Sequence, residues 1–276
     1  MTGVIDVGGG LRGVYGAGVF DACLEDGISF DYMIGVSAGS ANISSYMAGQ
    51  KERNLKFYTD YCFRRSYMSL LNVLRTGSYI DLEYIYGVLS NSAGENPLDF
   101  NAIAESDKKA EVVVTNAYTA EPFYYNMKDM KKNDYGAVKA SSCIPVINKP
   151  YVWKGTPYFD GGLSDPIPFK RAFDSGCDKV VVILTRPKDF RRKNKNDIRM
   201  ARFIKKYDKI AEALRNRAEL YNNQLDEATE FEKEGRIKII APDSIEGMHT
   251  LTKDKDAILK MYEKGKNDEK EILKFI

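Results

Sequence analysis

A single histidine, His249, occurs among 276 residues, and that scarcity limits the chemistry available to the chain. Four cysteines (Cys23, Cys62, Cys143 and Cys177) stand far apart with no C-x-x-C pair, and with one histidine they make no metal-site pattern. They read instead as small buried hydrophobes in a reducing compartment. No window approaches the roughly 18 uninterrupted apolar residues that a bilayer-spanning helix requires. No charge of one sign prevails: 41 Lys and Arg against 39 Asp and Glu give a net charge of +2, which leaves no global field to steer nucleic acid. The opening run Met1-Thr2-Gly3-Val4-Ile5-Asp6 has neither a basic n-region nor an apolar h-region. No signal peptide is therefore expected; the expected location is the cytoplasm, with peripheral membrane contact left open.

What the chain does have is the composition of a globular protein, 43% apolar and 29% charged, with length enough to bury a sizeable core. Strand-like and helix-like patterns alternate from the first residues, which predicts an α/β fold with a mainly parallel sheet. Strands are expected at 4–7, 30–36, 110–116, 122–126, 179–184 and 236–241, with a further one ending in Tyr158-Phe159-Asp160. Helices are expected at 14–25, where Gly27 follows as a stop signal, and over 38–48 and 135–142. Residues 52–89 look helical and are unusually aromatic, and 198–233 forms a long charged helical stretch broken once. Two short helices are expected to finish the chain. No repeat, low-complexity linker or domain boundary is visible, so one domain over 1–276 is the simplest organisation.

The most informative run is Gly35-Val36-Ser37-Ala38-Gly39. An apolar strand enters it and a helical segment leaves it, the context of a nucleophile elbow. Such a turn is so tight that the residues two positions either side of the serine must be nearly free of side chain. It lifts the hydroxyl to the carboxyl edge of a sheet and places it at a helix N-terminus, where free amides favour negative charge. Upstream lies Gly8-Gly9-Gly10-Leu11-Arg12-Gly13, between the first strand and the first helix. Such a loop can cradle a phosphate or serve Ser37 as an oxyanion hole. Gly8, Gly10 and Gly13 do fit G-x-G-x-x-G, yet the second strand ends in the serine motif instead of the acidic residue that dinucleotide binding needs. Acyl chemistry is the better fit.

A serine nucleophile needs a base. Ser37, Asp160 and His249 follow the chain order of an α/β-hydrolase triad, but His249 lies in a polar segment with no supporting pattern. The alternative is Asp160 itself, at the end of an apolar strand and followed by Gly161 and Gly162, although Asp-Gly-Gly also reads as a simple turn.

Taken together, Gly8 to Gly13, Gly35 to Gly39, Ala140-Ser141-Ser142-Cys143-Ile144-Pro145 and Asp160-Gly161-Gly162 resemble, in order, the four blocks of the patatin-like phospholipase family. The resemblance implies a three-layer α/β/α sandwich and a Ser-Asp dyad that works without histidine. Carried over, Ser37 is the nucleophile and Asp160 the base, with Gly8, Gly9, Gly10 and Arg12 in the oxyanion block and Gly13, Gly35, Gly39, Gly161 and Gly162 supporting the motifs. Arg12 would shape the loop or face an anionic head group. The implied substrate is a lipid or other fatty-acyl ester, with no cofactor and no metal. One departure is Val7, where the family often has an acidic residue. No motif covers the chain beyond about residue 190, which reads as a helical extension.

The substrate side has fewer signals. The aromatic stretch from Phe57 to Leu89 could line an acyl pocket, form a cap or be plain core. The run Arg186 to Lys209, with Arg191-Arg192-Lys193, could meet anionic head groups or form a solvated face. Asp165, in Ser164-Asp165-Pro166, is expected to be a turn residue.

Overall fold

Strand β1 (Thr2–Asp6) is buried almost throughout and lies in the middle of an eight-stranded sheet. The computed structural model describes residues 1–276. In chain order, β1 leads to α1 (Val14–Glu25), β2 (Tyr32–Val36), α2 (Ala38–Met47), α3 (Arg53–Thr59), α4 (Leu70–Thr76), α5 (Phe100–Glu105), β3 (Lys109–Asn116) and β4 (Pro122–Asn126). There follow α6 (Gly136–Ser141), β5 (Tyr151–Trp153), β6 (Thr156–Asp160), α7 (Phe169–Asp174), β7 (Lys179–Ile183), α8 (Lys195–Ala201), α9 (Asp208–Lys233), β8 (Ile237–Ile240), α10 (Lys255–Asp268) and α11 (Lys270–Leu273).

The sheet runs β5-β6-β3-β2-β1-β7-β8, with β4 also paired to β3. The five strands from β3 to β8 along this order are parallel, and β4, β5 and β6 join through antiparallel pairs. Parallel strands covered on both faces read as continuous apolar runs, as Val180 to Ile183 does. Successive residues then serve opposite layers. Val4, Met33 and Val181 pack with Val14 and Ala17 of α1, Ile43 of α2 and Ile258 of α10. Ile5, Ile34 and Val182 pack on the other face with Phe169 of α7 and Tyr221 and Leu225 of α9. These are the three layers expected.

One pairing positions everything that follows. Along β3, residues Lys109 to Val113 pair with β2, and Val114 to Asn116 pair with β6. Strand β4 pairs with Glu111 to Thr115 and overlaps both, so it occupies the opposite edge. Strands β2 and β6 therefore share one edge of β3 and meet end to end: Val36 sits opposite Val113, and Asp160 opposite Val114.

Several elements differ from the sequence expectation. The stretch 52–89 is not one helical block: it divides into α3, a 3₁₀ turn at Tyr61–Phe63, α4 and a π-helical segment, Glu83–Leu89. Gly77, left-handed at φ 76°, terminates α4. The elements α5, α7 and β5 were not anticipated; at six, six and three residues they are too short to show a period. The penultimate helix, α10, is longer than expected at 14 residues because it packs along α1.

Candidate active site

Ser37 follows directly on β2 with φ 55° and ψ −130°, a conformation that L-residues rarely adopt and that costs about 1–3 kcal/mol. Its neighbours hold it there. The Ser37 N–H donates to Ser141 Oγ at 2.8 Å, and its carbonyl accepts from the N–H and hydroxyl of Ser40 at 3.0 and 2.6 Å. The flanking glycines are needed for close approach. A Cβ at Gly35 would lie 2.4 Å from Ser40 Cα, and one at Gly39 would lie 2.1 Å from the Asp6 carbonyl oxygen.

Asp160 closes β6, so the end-to-end meeting of β2 and β6 brings its carboxyl to the elbow. Gly162 N–H donates to Asp160 Oδ1 at 2.8 Å, and the Thr115 hydroxyl donates to the Asp160 carbonyl at 2.8 Å. Burial raises the Asp160 pKa above the ordinary carboxylate value; the positive charge of Arg217, the Ser37 hydroxyl, the Gly162 amide and Arg192 pull it back. The result is a carboxylate more basic than usual, against a serine hydroxyl.

The glycine loop is tied down from beneath. Asp6 accepts from Gly8 N–H and from Asn42 Nδ2, each at 2.8 Å, and Asn42 also donates to the Gly13 carbonyl at 2.8 Å. The loop's acidic support is thus Asp6, not the position of Val7, and its pKa is pushed up to about 6 by burial. Above, Thr185 donates to the Gly8 carbonyl, and Leu11 N–H donates to the Thr250 carbonyl at 2.9 Å. The Gly9 and Gly10 amides have no acceptor within the chain. Arg12, 6% exposed, donates through Nη1 to Thr250 Oγ1 at 3.1 Å, while its buried Nε has no partner.

Ser37 borders two cavities of opposite character. One, about 330 Å³, is bounded by Gly8, Gly9, Gly10, Ser37 and Asp160 and by four arginines, Arg12, Arg186, Arg192 and Arg217. The other is a narrow slot of about 50 Å³ walled by Met68, Ile80, Leu82, Ile85, Tyr86 and Leu251.

The structure thus brings Ser37, Asp160, Gly8, Gly9, Gly10 and Arg12 to one cavity, with Gly162 beside them. Gly13, Gly35, Gly39 and Gly161 lie behind it, in contact with Tyr58, Ser40, Asp6 and Val113. His249 is exposed and borders neither cavity. Asp165 is not a free turn residue: it is buried and accepts from Tyr124 Oη at 2.5 Å and Gln224 Nε2 at 2.7 Å, joining β4 to α9. The basic run divides, with Arg191 on the surface against Asp226 and Arg186 and Arg192 turned into the cavity. The aromatic stretch divides too: Phe57, Tyr58 and Tyr61 are core, and Tyr86 lines the slot.

Arg217 was not singled out from the sequence. Its Nε donates to the Gly162 carbonyl at 2.9 Å. Ile210, Leu214, Tyr221 and Leu225 form the buried stripe of α9, and Arg217 falls between Leu214 and Tyr221 on that stripe. A charge at an apolar position is the signal that marks it.

Compared with known proteins, residues 7–173 match the model of a family described as patatin-like phospholipase, and residues 207–276 match a domain of unknown function, DUF6363. The chain is similar to the uncharacterized protein YjjU of Escherichia coli (strain K12), at 32% identity over 185 residues, covering 65% of this chain and 50% of that one. It spans about half the length of that relative. Its fold is similar to that of VipD from Legionella pneumophila, with a TM-score of 0.50 and 14% identity over 99% of this chain and 66% of the other. Identity that low speaks to fold alone.

Proposed function

The chain belongs to the patatin-like phospholipase family, and from that premise we propose that it is a serine acyl hydrolase acting on carboxylic esters of lipids through a Ser37–Asp160 dyad. The observation that carries this reading is the meeting of β2 and β6 on one edge of β3, which sets a strained serine against a carboxylate of raised basicity. Ser37 Oγ attacks the ester carbonyl carbon as its proton passes to Asp160. The oxyanion that forms accepts from the Gly9 and Gly10 amides, which are free to donate. Loss of one such donor typically costs about 3–4 kcal/mol in the barrier. Asp160 then protonates the departing alkoxide as its C–O bond breaks, leaving an acyl-Ser37. Water attacks the acyl carbon, Asp160 takes the water proton, and the fatty acid leaves as that proton returns to Ser37. Arg12 shapes the loop, and no cofactor or metal is invoked.

The acyl chain runs into the apolar slot, whose narrow volume requires Met68, Ile80 and Tyr86 to part around it. The mouth of the slot suits contact with a lipid surface. Met68 and Ile80 are bridged to one another, and the excursion between them carries α4, which exposes Leu70, Leu71, Val73 and Leu74. No helix is long and apolar enough to cross a membrane, so the contact proposed is peripheral.

Fluorophosphonate labelling read by intact mass tests the dyad. Wild type and His249→Ala are expected to take one adduct, Ser37→Ala none, and Asp160→Asn one at a rate lower by at least 100-fold. Folded His249→Ala that fails to label would move the base to histidine, and a folded wild type that fails to label would remove the hydrolase reading.

A further inference from the structure

The cavity beside Ser37 contains more positive charge than acyl transfer needs. Four guanidinium groups border it, and the only carboxylates there are Asp160 and Asp197. Asp197 is already taken by Arg192, through two bonds of 2.9 Å. Arg186 has no carboxylate partner and stacks on Phe190 at 4.1 Å, and Arg217 spends its Nε on a carbonyl. Arg12 is nine-tenths buried, and its Nε has no partner.

Like charges gathered in a half-enclosed space repel, and Arg12, Arg186 and Arg217 all lose basicity to burial and to charged neighbours. Burial and then Arg186 and Arg192 push Arg12 down to about 9, and burial and Arg192 push Arg217 down to about 10. Both remain cationic at neutral pH. Of the four, only Arg192 has a carboxylate partner within the chain, so the excess positive charge of the cavity is left for something the chain does not itself contain. Three of the four arginines (Arg186, Arg192 and Arg217) lie beyond residue 173, outside the part matched to the hydrolase family.

We propose that this cavity is a subsite for a phosphomonoester group of the lipid substrate, held by Arg186, Arg192, Arg217 and Arg12 beside the nucleophile. The assignment rests on the acyl-hydrolase reading above and narrows it to a class of lipid. A phosphomonoester carries about 1.5 to 2 negative charges at pH 7 and three acceptor oxygens, which suits several guanidinium forks. A phosphocholine head brings one negative charge and a quaternary ammonium, for which the cavity offers no free carboxylate and only Tyr221 as an aromatic wall. The positions agree with one lipid: acyl chain in the slot, ester at Ser37, and phosphate, a few bonds away across glycerol, among the arginines.

The test uses the full chain, Arg186→Gln and Arg186→Lys, with inorganic phosphate titrated by calorimetry. In parallel, kcat/KM is measured for phosphatidate and phosphatidylcholine of identical acyl chains in mixed micelles, and each sample is labelled with fluorophosphonate. Phosphate is expected to bind wild type one to one. Arg186→Gln is expected to weaken that binding roughly 10–100-fold, the worth of a charge-assisted contact, and to reduce the preference for phosphatidate by a similar factor. Arg186→Lys should fall between. Relief of repulsion predicts that Arg186→Gln melts no lower than wild type in phosphate-free buffer, so loss of binding will not come from unfolding. Wild type that labels at Ser37 but binds no phosphate would overturn the subsite and leave the hydrolase standing. Phosphate binding with equal turnover of both lipids would assign the site to free phosphate and overturn the head-group assignment. Phosphate binding by a wild type that never labels would uphold the anion site and remove the hydrolase.

Discussion

Ser37 and Asp160, the proposed dyad, meet where β2 and β6 end, in a turn whose backbone is set by glycines. Gly35 and Gly39 are required by an elbow in which a Cβ would collide with the turn itself, and that requirement is local enough to leave a five-residue trace. Asp6 left no such trace, and Arg217 left only a charge on the apolar stripe of α9. What each does depends on a partner brought from elsewhere in the chain, Asn42 in one case and Gly162 in the other. In the proposed dyad Arg217 bears on when Asp160 is ionised. If Asp160 is the base, as proposed, it must be ionised to take a proton, and kcat/KM is expected to rise with pH through its raised pKa. Arg217 is the strongest of the influences holding that pKa down. Arg217→Gln is therefore expected to move the acid limb of the kcat/KM profile to higher pH, so that the loss at pH 5.5 exceeds the loss at pH 8 several-fold. Arg217→Lys, which keeps the charge, should restore much of the shift. A limb that stays in place while activity drops equally at all pH values would make Arg217 a packing residue only.

Elements were legible in proportion to their length and to how much of their pairing is local. The parallel strands β1, β2 and β7 and the helices α1 and α2 carry their own periodicity, and their bounds lie within two residues of expectation. The antiparallel approach of β6 to the free end of β3 is a long-range event, and no pattern within 156–160 announces it. The same holds for α4. Residues 52–89 look helical in sequence, whereas within them Ser69 caps a separate helix through Asn72 N–H and Gly77 ends it within two turns. What the helix presents outward is apolar: Leu70 is 77% and Leu74 85% exposed. Burying a leucine side chain is worth about 1.5–3 kcal/mol, so two of them entering a lipid surface can change partitioning by two orders of magnitude or more. The double substitution Leu70→Asp and Leu74→Asp is expected to lower sedimentation with anionic vesicles by at least tenfold. Turnover of vesicle lipid should fall several-fold more than turnover of a soluble short-chain ester. Equal binding of wild type and double variant to vesicles would sink the proposed contact.

At the scale of the whole molecule, the site draws on both ends of the chain. Leu11 N–H and the Arg12 guanidinium both bond to Thr250, α10 packs on α1, and β8 completes the sheet beside β7. The sequence read after residue 190 as a charged extension because its role is visible only once folded against the glycine loop. We propose that residues 1–276 act as one hydrolase unit on this ground. Among the buried carboxylates of that unit are Asp6 under the loop and Asp21 between Tyr262 and Glu52 N–H, and burial pushes each of these two up to about 6. Their folded values lie above the unfolded value of 3.8. Between those limits the folded chain binds more protons than the unfolded one, so stability falls as pH rises. Each group contributes roughly 1.4 kcal/mol per pH unit over that interval. The opposite sign belongs to surface carboxylates such as Glu271, drawn down to about 2 by Lys274 and Lys238, whose contribution is lost only as pH falls below the ordinary carboxylate range. The two trends oppose each other only between the unfolded values of 3.8 and 4.5. The melting temperature from pH 4 to pH 8 is therefore expected to decline from the low end to about pH 6 and then level, with a decline that is shallower in Asp6→Asn. A melting temperature that climbs steadily from pH 5 to pH 7 would mean that Asp6 and Asp21 are ionised and well compensated in the folded chain, and that the loop beneath the nucleophile is not held by a strained carboxylate.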